Sequence, residues 1–159
     1  VYGLLGEEYI APPLASPAQF RRWVGEPEKK LGHIIKSANA VFWLHCHGPL
    51  ARILDVFVEM GVNCLHPVES PPMGDITLVE AKRRLAGKIC IEGNIQIGDI
   101  YAASPGRVRE LVRQAIADAA DGGGFILCPT ASPHTKELPP SAVNNYLEFI
   151  RAGLEFGRY

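Results

Sequence analysis

The sequence has no apolar run that approaches the roughly 20 residues needed to span a bilayer, and its first residues do not resemble a signal peptide. It also lacks an excess of charge of either sign, since 16 lysines and arginines stand against 17 aspartates and glutamates. The basic residues are spread along predicted helices, which is typical of a solvated face. We therefore expect a cytoplasmic protein that binds neither nucleic acid nor membrane.

The cysteine and glycine motifs of two common kinds of site are missing as well. The four cysteines, Cys46, Cys64, Cys90 and Cys128, do not have the CxxC spacing of a zinc ribbon. Each lies within or at the end of a predicted strand, so we expect buried, reduced thiols rather than disulfides. No G-x-G-x-x-G follows a predicted strand, which argues against a dinucleotide-binding sheet.

The length and composition predict one domain, residues 1–159. The chain has 159 residues, of which 47% are hydrophobic, so it can bury one core. It begins with Val1 rather than methionine, and we therefore expect a fragment or a processed form.

Short apolar segments alternate with amphipathic ones, which predicts β-strands alternating with α-helices. Strands are predicted at residues 40–45, 62–67, 88–91 and 125–128. Helices are predicted at residues 17–37, 49–60, 77–85, 104–120 and 141–156. Residues 1–15 are rich in glycine and proline, and we expect them to be irregular. The alternation indicates an α/β fold with a parallel sheet.

Polar side chains follow every predicted strand, and this distribution favours a TIM (β/α)8 barrel, whose active sites lie at that edge of the sheet. A complete barrel needs about 250 residues, so the four βα units predict half of one. A half barrel would leave two unpaired strand edges and an open apolar interior. We expect either two copies of the chain or a missing half to close it.

The most informative motif is His45-Cys46-His47, at the end of the first predicted strand. Side chains alternate faces along a strand, so the two histidines point the same way and Cys46 points the other. Such a pair can supply two ligands to zinc, or place a proton donor beside an acceptor. The alternative is two histidines that are merely hydrogen-bonded in a loop.

Further candidate residues lie after the other strands. Glu69 is predicted to be a third metal ligand or a general base, and Cys128 a soft metal ligand. The predicted substrate-binding residues are Asn94, Thr130 and Ser132, and a second predicted catalytic residue is His134. Each has a structural alternative: a capping or loop carboxylate for Glu69, a core thiol for Cys128, a turn residue for Asn94 and an exposed loop histidine for His134.

Four ordered segments together resemble the uroporphyrinogen decarboxylase family. They read Leu44-His-Cys-His-Gly48, His66-Pro-Val-Glu-Ser-Pro-Pro-Met-Gly-Asp75, Ile91-Glu-Gly-Asn94 and Gly124-Phe-Ile-Leu-Cys-Pro129. The opening Gly6-Glu-Glu-Tyr9 also fits. The resemblance covers essentially the whole chain and implies the C-terminal half of the family's barrel.

The family includes decarboxylases of uroporphyrinogen and methyltransferases that work with corrinoid proteins. The resemblance to the methyltransferases implies a zinc site in which His45 falls on a histidine ligand and His47 on a cysteine ligand. A later cysteine ligand falls at about Ala131 and is therefore missing. This harder ligand set favours activation of an ether or amine methyl donor over activation of a thiol.

The leading hypothesis is therefore a zinc-assisted methyltransferase or demethylase that passes a methyl group from a small methylated substrate to a corrinoid protein. The first alternative is a cofactor-independent decarboxylase of a porphyrinogen, in tetrapyrrole biosynthesis. The second is an inactive partial-barrel partner. We expect a homodimer, or association with a missing N-terminal half.

Overall fold

Five short strands pair in the order in which they occur along the chain, and every pairing is parallel. This is seen in a computed structural model that describes the backbone of residues 2–158 and the side chains of residues 6–158. The strands are β1 (Tyr2–Gly6), β2 (Val41–His45), β3 (Cys64–His66), β4 (Cys90–Glu92) and β5 (Phe125–Ile126).

Helices connect successive strands. They are α1 (Pro17–Phe20), α2 (Glu26–Ser37), α3 (Leu54–Met60), α4 (Leu78–Leu85), α5 (Ile97–Ala102), α6 (Pro105–Ala119) and α7 (Pro140–Phe156), with a π-helical segment, Arg21–Gly25, between α1 and α2. Local sequence determines several helix starts, because Ser16, Thr77 and Ser104 each accept a hydrogen bond from a first-turn N–H. Within the described residues no helix is both long enough and apolar enough to cross a membrane.

The predicted α/β architecture is confirmed, one element prediction is wrong and one helix was missed. Residues 2–6 are a strand rather than irregular chain, because pairing with β2 supplies backbone hydrogen bonds to a segment whose two glycines give it little strand preference of its own. Helix α5 was not predicted. The backbone N–H of Ile97, the first residue of α5, donates to the hydroxyl of Thr130. This partner lies 33 residues away, so no local sequence pattern indicates the helix start.

The two faces of the sheet differ in chemistry. Side chains on one face, such as Phe42, Leu44 and Leu65, are fully buried beneath the helices. The other face corresponds to the interior of a barrel and carries Trp43, His45, Cys64, His66, Cys90 and Glu92, whose contacts join them across the strands. The expectation of an apolar interior is therefore wrong: alternation along β2, β3 and β4 places imidazole, thiol and carboxylate groups there.

The outer strands β1 and β5 each have one strand neighbour within the described chain. The sheet is thus an open, parallel part of a (β/α)8 barrel, not a closed one. The last helix, α7, docks through the buried Asn145, whose amide donates to the carbonyl oxygens of Ile100 and Ala103. The carboxyl ends of all five strands meet at one edge, where the candidate residues lie.

Candidate functional site

The histidine pair lies at the end of β2, as the alternation predicts. The ring centroids of His45 and His47 are 4.7 Å apart and the rings are nearly perpendicular, at 81°. Cys46 between them points into the core and is fully buried, and burial raises the pKa of its thiol. The two imidazoles therefore share one face at the mouth of the open barrel, and the intervening thiol does not.

His45 is held by a second histidine from the next strand. Its Nδ1 lies 2.9 Å from Nδ1 of His66, and Nε2 of His66 lies 3.0 Å from the carbonyl oxygen of Pro129. Trp43 stacks on both rings, with centroid distances of 5.9 Å to His45 and 5.4 Å to His66. The indole N–H of Trp43 in turn donates to the carboxylate of Glu92.

His47 is held by the buried carboxylate of Glu69. Nδ1 of His47 lies 3.1 Å from Oε2 of Glu69, and the same oxygen accepts the backbone N–H of Gly48 at 3.0 Å. The other oxygen, Oε1, accepts from Nε2 of Gln96, whose Oε1 accepts the Thr130 hydroxyl. A chain of hydrogen bonds thus links the loops that follow β2, β3, β4 and β5.

Two glycines allow this arrangement. Gly48 has φ of 94°, a left-handed conformation that favours glycine, and its N–H reaches Glu69. Gly74 packs so closely on the backbone of Glu69 that a Cβ atom at residue 74 would lie 2.0 Å from the Glu69 carbonyl oxygen. The loop after β3 can therefore position Glu69 only with glycine at residue 74.

The two imidazoles differ in their electrostatic surroundings. The pKa of His45 is lowered, first by burial and then by the neighbouring histidines His47 and His66. The pKa of His47 is raised, chiefly by its hydrogen bond to Glu69. Burial opposes ionisation of Glu69, but hydrogen bonds from His47, Gly48 and Gln96 outweigh it and hold the pKa of that carboxyl below its usual value.

The donor atoms fit zinc in their chemistry. Because Nδ1 of each histidine is engaged, Nε2 is the nitrogen that each ring can offer to a metal. Glu8, which follows β1, brings Oε1 to 4.0 Å from Nε2 of His45, and its Oε2 is buried without a hydrogen-bond partner. Two imidazoles and a carboxylate form a donor set that zinc accepts.

This donor set is not preassembled. Among the side chains of residues 6–158, no three from histidine, cysteine, aspartate or glutamate already stand at the spacing of metal ligands. Glu69 has both oxygens engaged by His47, Gly48 and Gln96, and it supports His47 through Nδ1. The geometry thus favours Glu69 as an orienting group behind a ligand, and Glu8 as the carboxylate nearest to the imidazole nitrogens.

The remaining predicted residues lie in different surroundings. Thr130 is buried and joins Gln96 to the start of α5. Asn94 is half-buried and lines a groove that also includes Ser70 and Asp99. Ser132 is exposed. His134 is exposed and stacks on Tyr101 at 5.5 Å, and none of its described contacts reaches the histidine pair.

Cys128 lies half-buried beside Glu92, and burial raises the pKa of its thiol to about 11. Its described neighbour at this edge is Glu92, and none of its described contacts is with His45 or His47, which favours the structural alternative.

Three residues of the site were not singled out by the sequence: His66, Gln96 and Glu8. His66 is the register partner of His45 in the β2–β3 pair. The strand ends could have shown this, since both histidines close a strand. Gln96 and Glu8 carried no such signal, because their contacts depend on loop conformation.

Comparison with known proteins gives the family. The comparison with curated proteins found no match. Among solved structures, a methyltransferase from Methanosarcina mazei superposes with a TM-score of 0.77 at 20% sequence identity, covering 97% of this chain and 42% of that one. The likeness shows a shared fold, and this chain spans less than half the length of that relative.

The family model described as Uroporphyrinogen decarboxylase (URO-D) matches residues 11–152, which include both histidines, Glu69 and the loop after β5. With the parallel βα units and the site already described, this match shows that the chain belongs to the uroporphyrinogen decarboxylase family.

Proposed function

We propose that this protein takes part in zinc-assisted methyl transfer, from a small methylated substrate to a corrinoid protein. The observation that carries the proposal is the paired orientation of His45 and His47. Each ring has its Nδ1 tied to a supporting group, so that Nε2 is left for a metal.

The protein's own residues would divide the work as follows. His45 and His47 would hold the metal through Nε2, with Glu8 as the carboxylate within reach. Glu69 would fix the orientation of His47 and raise the basicity of its Nε2. Asn94 and Ser132 are proposed to contact substrate, and Thr130 to support Gln96. For His134 the alternative of an exposed loop histidine is favoured, and for Cys128 that of a structural thiol.

When bound at this site, zinc would supply Lewis acidity toward the oxygen or nitrogen that carries the methyl group. The acidic surroundings suit an uncharged or cationic methyl donor, because Glu8, Glu69 and Glu92 all lie along this face. A polycarboxylate would meet repulsion there.

The test is metal binding by the purified protein and three variants. We expect zinc, measured by elemental analysis and calorimetry, to bind with a stoichiometry of one. His45→Ala and His47→Ala should each lower the affinity by more than the roughly 10–100-fold that loss of a supporting group costs. His33→Ala is the matched control, because His33 is an exposed histidine on α2. Equal binding by all four proteins would refute the site.

A metal-independent decarboxylase is the second candidate, because the matched family model carries that description. It predicts release of carbon dioxide from uroporphyrinogen in the presence of a chelator. Methyl transfer that disappears with the chelator, and no decarboxylation, would decide for the first proposal. The absence of both zinc binding and turnover would favour an inactive partner.

A further inference from the structure

The hydrogen bonds behind His45 determine where its proton lies. The carbonyl oxygen of Pro129 can only accept, so Nε2 of His66, 3.0 Å away, must carry a proton and donate it. A neutral imidazole has one N–H, and Nδ1 of His66 is therefore a lone pair. That atom lies 2.9 Å from Nδ1 of His45, which must then be the donor.

We infer that His66 is a positioning residue that forces His45 into the Nδ1–H tautomer and so presents Nε2 of His45 as an open lone pair. The orienting group at the far end is a backbone carbonyl after β5, two strands beyond His66 in the sheet. The inference deepens the proposed function, because Nε2 is the atom offered to the metal, but the tautomer itself can be measured without metal.

The relay is rigid at both ends. His66 is 7% exposed, and Trp43 stacks nearly parallel to both imidazoles, with interplanar angles of 18° and 22°. Pro129 is fixed by its bridge to Ile95 and by the hydrogen bond, 2.8 Å long, from the N–H of Thr130 to the Ile95 carbonyl. Neither ring can turn over without breaking a hydrogen bond or a stacking contact.

The consequence is a matched pair of imidazoles. His47 donates Nδ1–H to the Glu69 carboxylate, and His45 donates Nδ1–H to His66. The two supporting groups differ, one anionic and one neutral, yet both place the proton on the same ring atom. Without its partner, His45 would be free to adopt the Nε2–H form that imidazole favours in water, and its open nitrogen would then face away from the site.

The direct test is nitrogen-15 NMR of the imidazoles in the metal-free, full 159-residue chain at pH 8. We expect His45 and His47 to show the Nδ1–H pattern and His66 the Nε2–H pattern. In His66→Phe, which keeps an aromatic ring against Trp43, His45 should change to the Nε2–H form, whereas His47 should not change. His66→Gln offers both a donor and an acceptor and should restore the Nδ1–H form of His45 at least in part.

The inference is overturned if His45 is in the Nε2–H form in the wild type, or if its tautomer is the same in His66→Phe. Circular dichroism of each variant shows whether the fold is retained, and the His47 signals serve as an internal reference. If His66→Phe does not fold, the wild-type spectrum still tests the inference: the Nδ1–H form of His45 supports it and the Nε2–H form overturns it.

A second readout links the relay to the metal. His66→Phe should weaken zinc binding by roughly 10–100-fold, and His66→Gln by less. His33→Phe is the matched control and should bind as the wild type does. If the tautomers are as inferred but the wild type binds no zinc, the proposed function fails and the positioning role stands. If the wild type binds zinc but His45 is in the Nε2–H form, the positioning role fails and the proposed metal site stands.

Discussion

The four cysteine side chains differ widely in how readily they ionise, according to where each of them lies. The thiols of Cys64 and Cys90 are register partners on adjacent strands, and a hydrogen bond from Cys64 lowers the pKa of Cys90. The same bond raises the pKa of Cys64. Burial raises the pKa of Cys46 and of Cys128. Of the four thiols, Cys90 is the one whose pKa is lowered.

We predict that Cys90 is alkylated first by iodoacetamide at pH 7.5, because the thiolate is the reactive form and Cys90 is also half-exposed. Its rate should rise at a lower pH than that of Cys128, whose pKa is about 11. Mass spectrometry of peptides taken during the reaction gives the order. Cys64→Ser should slow the reaction of Cys90, because it weakens the hydrogen bond, and a faster reaction at Cys128 would contradict the prediction.

For single residues, the sequence predicted side-chain directions well where they depend on one strand alone. Alternation along one strand was enough to predict that His45 and His47 share a face and that Cys46 does not. The sequence could not show which nitrogen of each ring is hydrogen-bonded. The partners, His66, Glu69 and Gln96, lie on other strands or in the loops that follow them. Which oxygen or nitrogen is already engaged depends on register and loop conformation, and for Glu69 the engaged oxygens favour the role of supporting group over that of ligand.

At the scale of elements, a close contact holds β2, the strand that ends in His45, against α2. Gly32 of α2 lies directly on Phe42 of β2, where an added Cβ would be 2.5 Å from two ring carbons. Phe42 is fully buried and cannot move into solvent. The close approach of α2 to β2 is therefore possible because glycine at residue 32 has no side chain.

We predict that Gly32→Ala destabilises the protein by about 1–3 kcal/mol through overpacking, even though alanine is the better helix former. For a chain of this size that corresponds to a fall in Tm of about 2–4 °C for each kcal/mol, measured by thermal unfolding. Gly98→Ala on α5 is the matched control, because a Cβ there meets nothing within 4 Å. It should be neutral or stabilising by up to about 1 kcal/mol, and the same Tm for both variants would contradict this explanation.

The elements that the sequence missed are those with weak local signals. Strand β1 contains two glycines, and its order comes from pairing with β2. Strand β5 is only two residues long, shorter than the predicted segment, because the chain leaves the sheet at Leu127. Helices with capping residues and clear periodicity, such as α6 and α4, were predicted to within a few residues.

On the scale of the whole molecule, one face of α7 has no cover in the part of the chain that the structure describes. Along α7, four apolar side chains recur at intervals of four, three and four residues and are 42%, 45%, 52% and 68% exposed: Val143, Leu147, Ile150 and Leu154. Such spacing forms a continuous apolar stripe on one side of a helix. The helix packs against α5 and α6 and follows β5, the outer strand of an open sheet, beside which further βα units would lie in a closed barrel.

We predict that the isolated chain self-associates at micromolar concentrations and that the double variant Leu147→Glu/Ile150→Glu reduces this association. The reason is that the charged side chains cannot be buried in an apolar contact. Light scattering after size-exclusion chromatography measures the mass. Val79→Glu on α4, an exposed apolar position away from the stripe, is the control. A monomeric wild type, or association that the double variant leaves unchanged, would count against this role of α7.

Hydrogen bonds run from Thr130 through Gln96 and Glu69 to His47. The site therefore depends on all four loops that follow β2, β3, β4 and β5. A change in the loop after β4 or after β5 would therefore alter the hydrogen bonds of His47 without touching its ring. Attempts to alter substrate preference one loop at a time would therefore also alter the chemistry of His47. New specificity in this scaffold should be sought by varying those loops together.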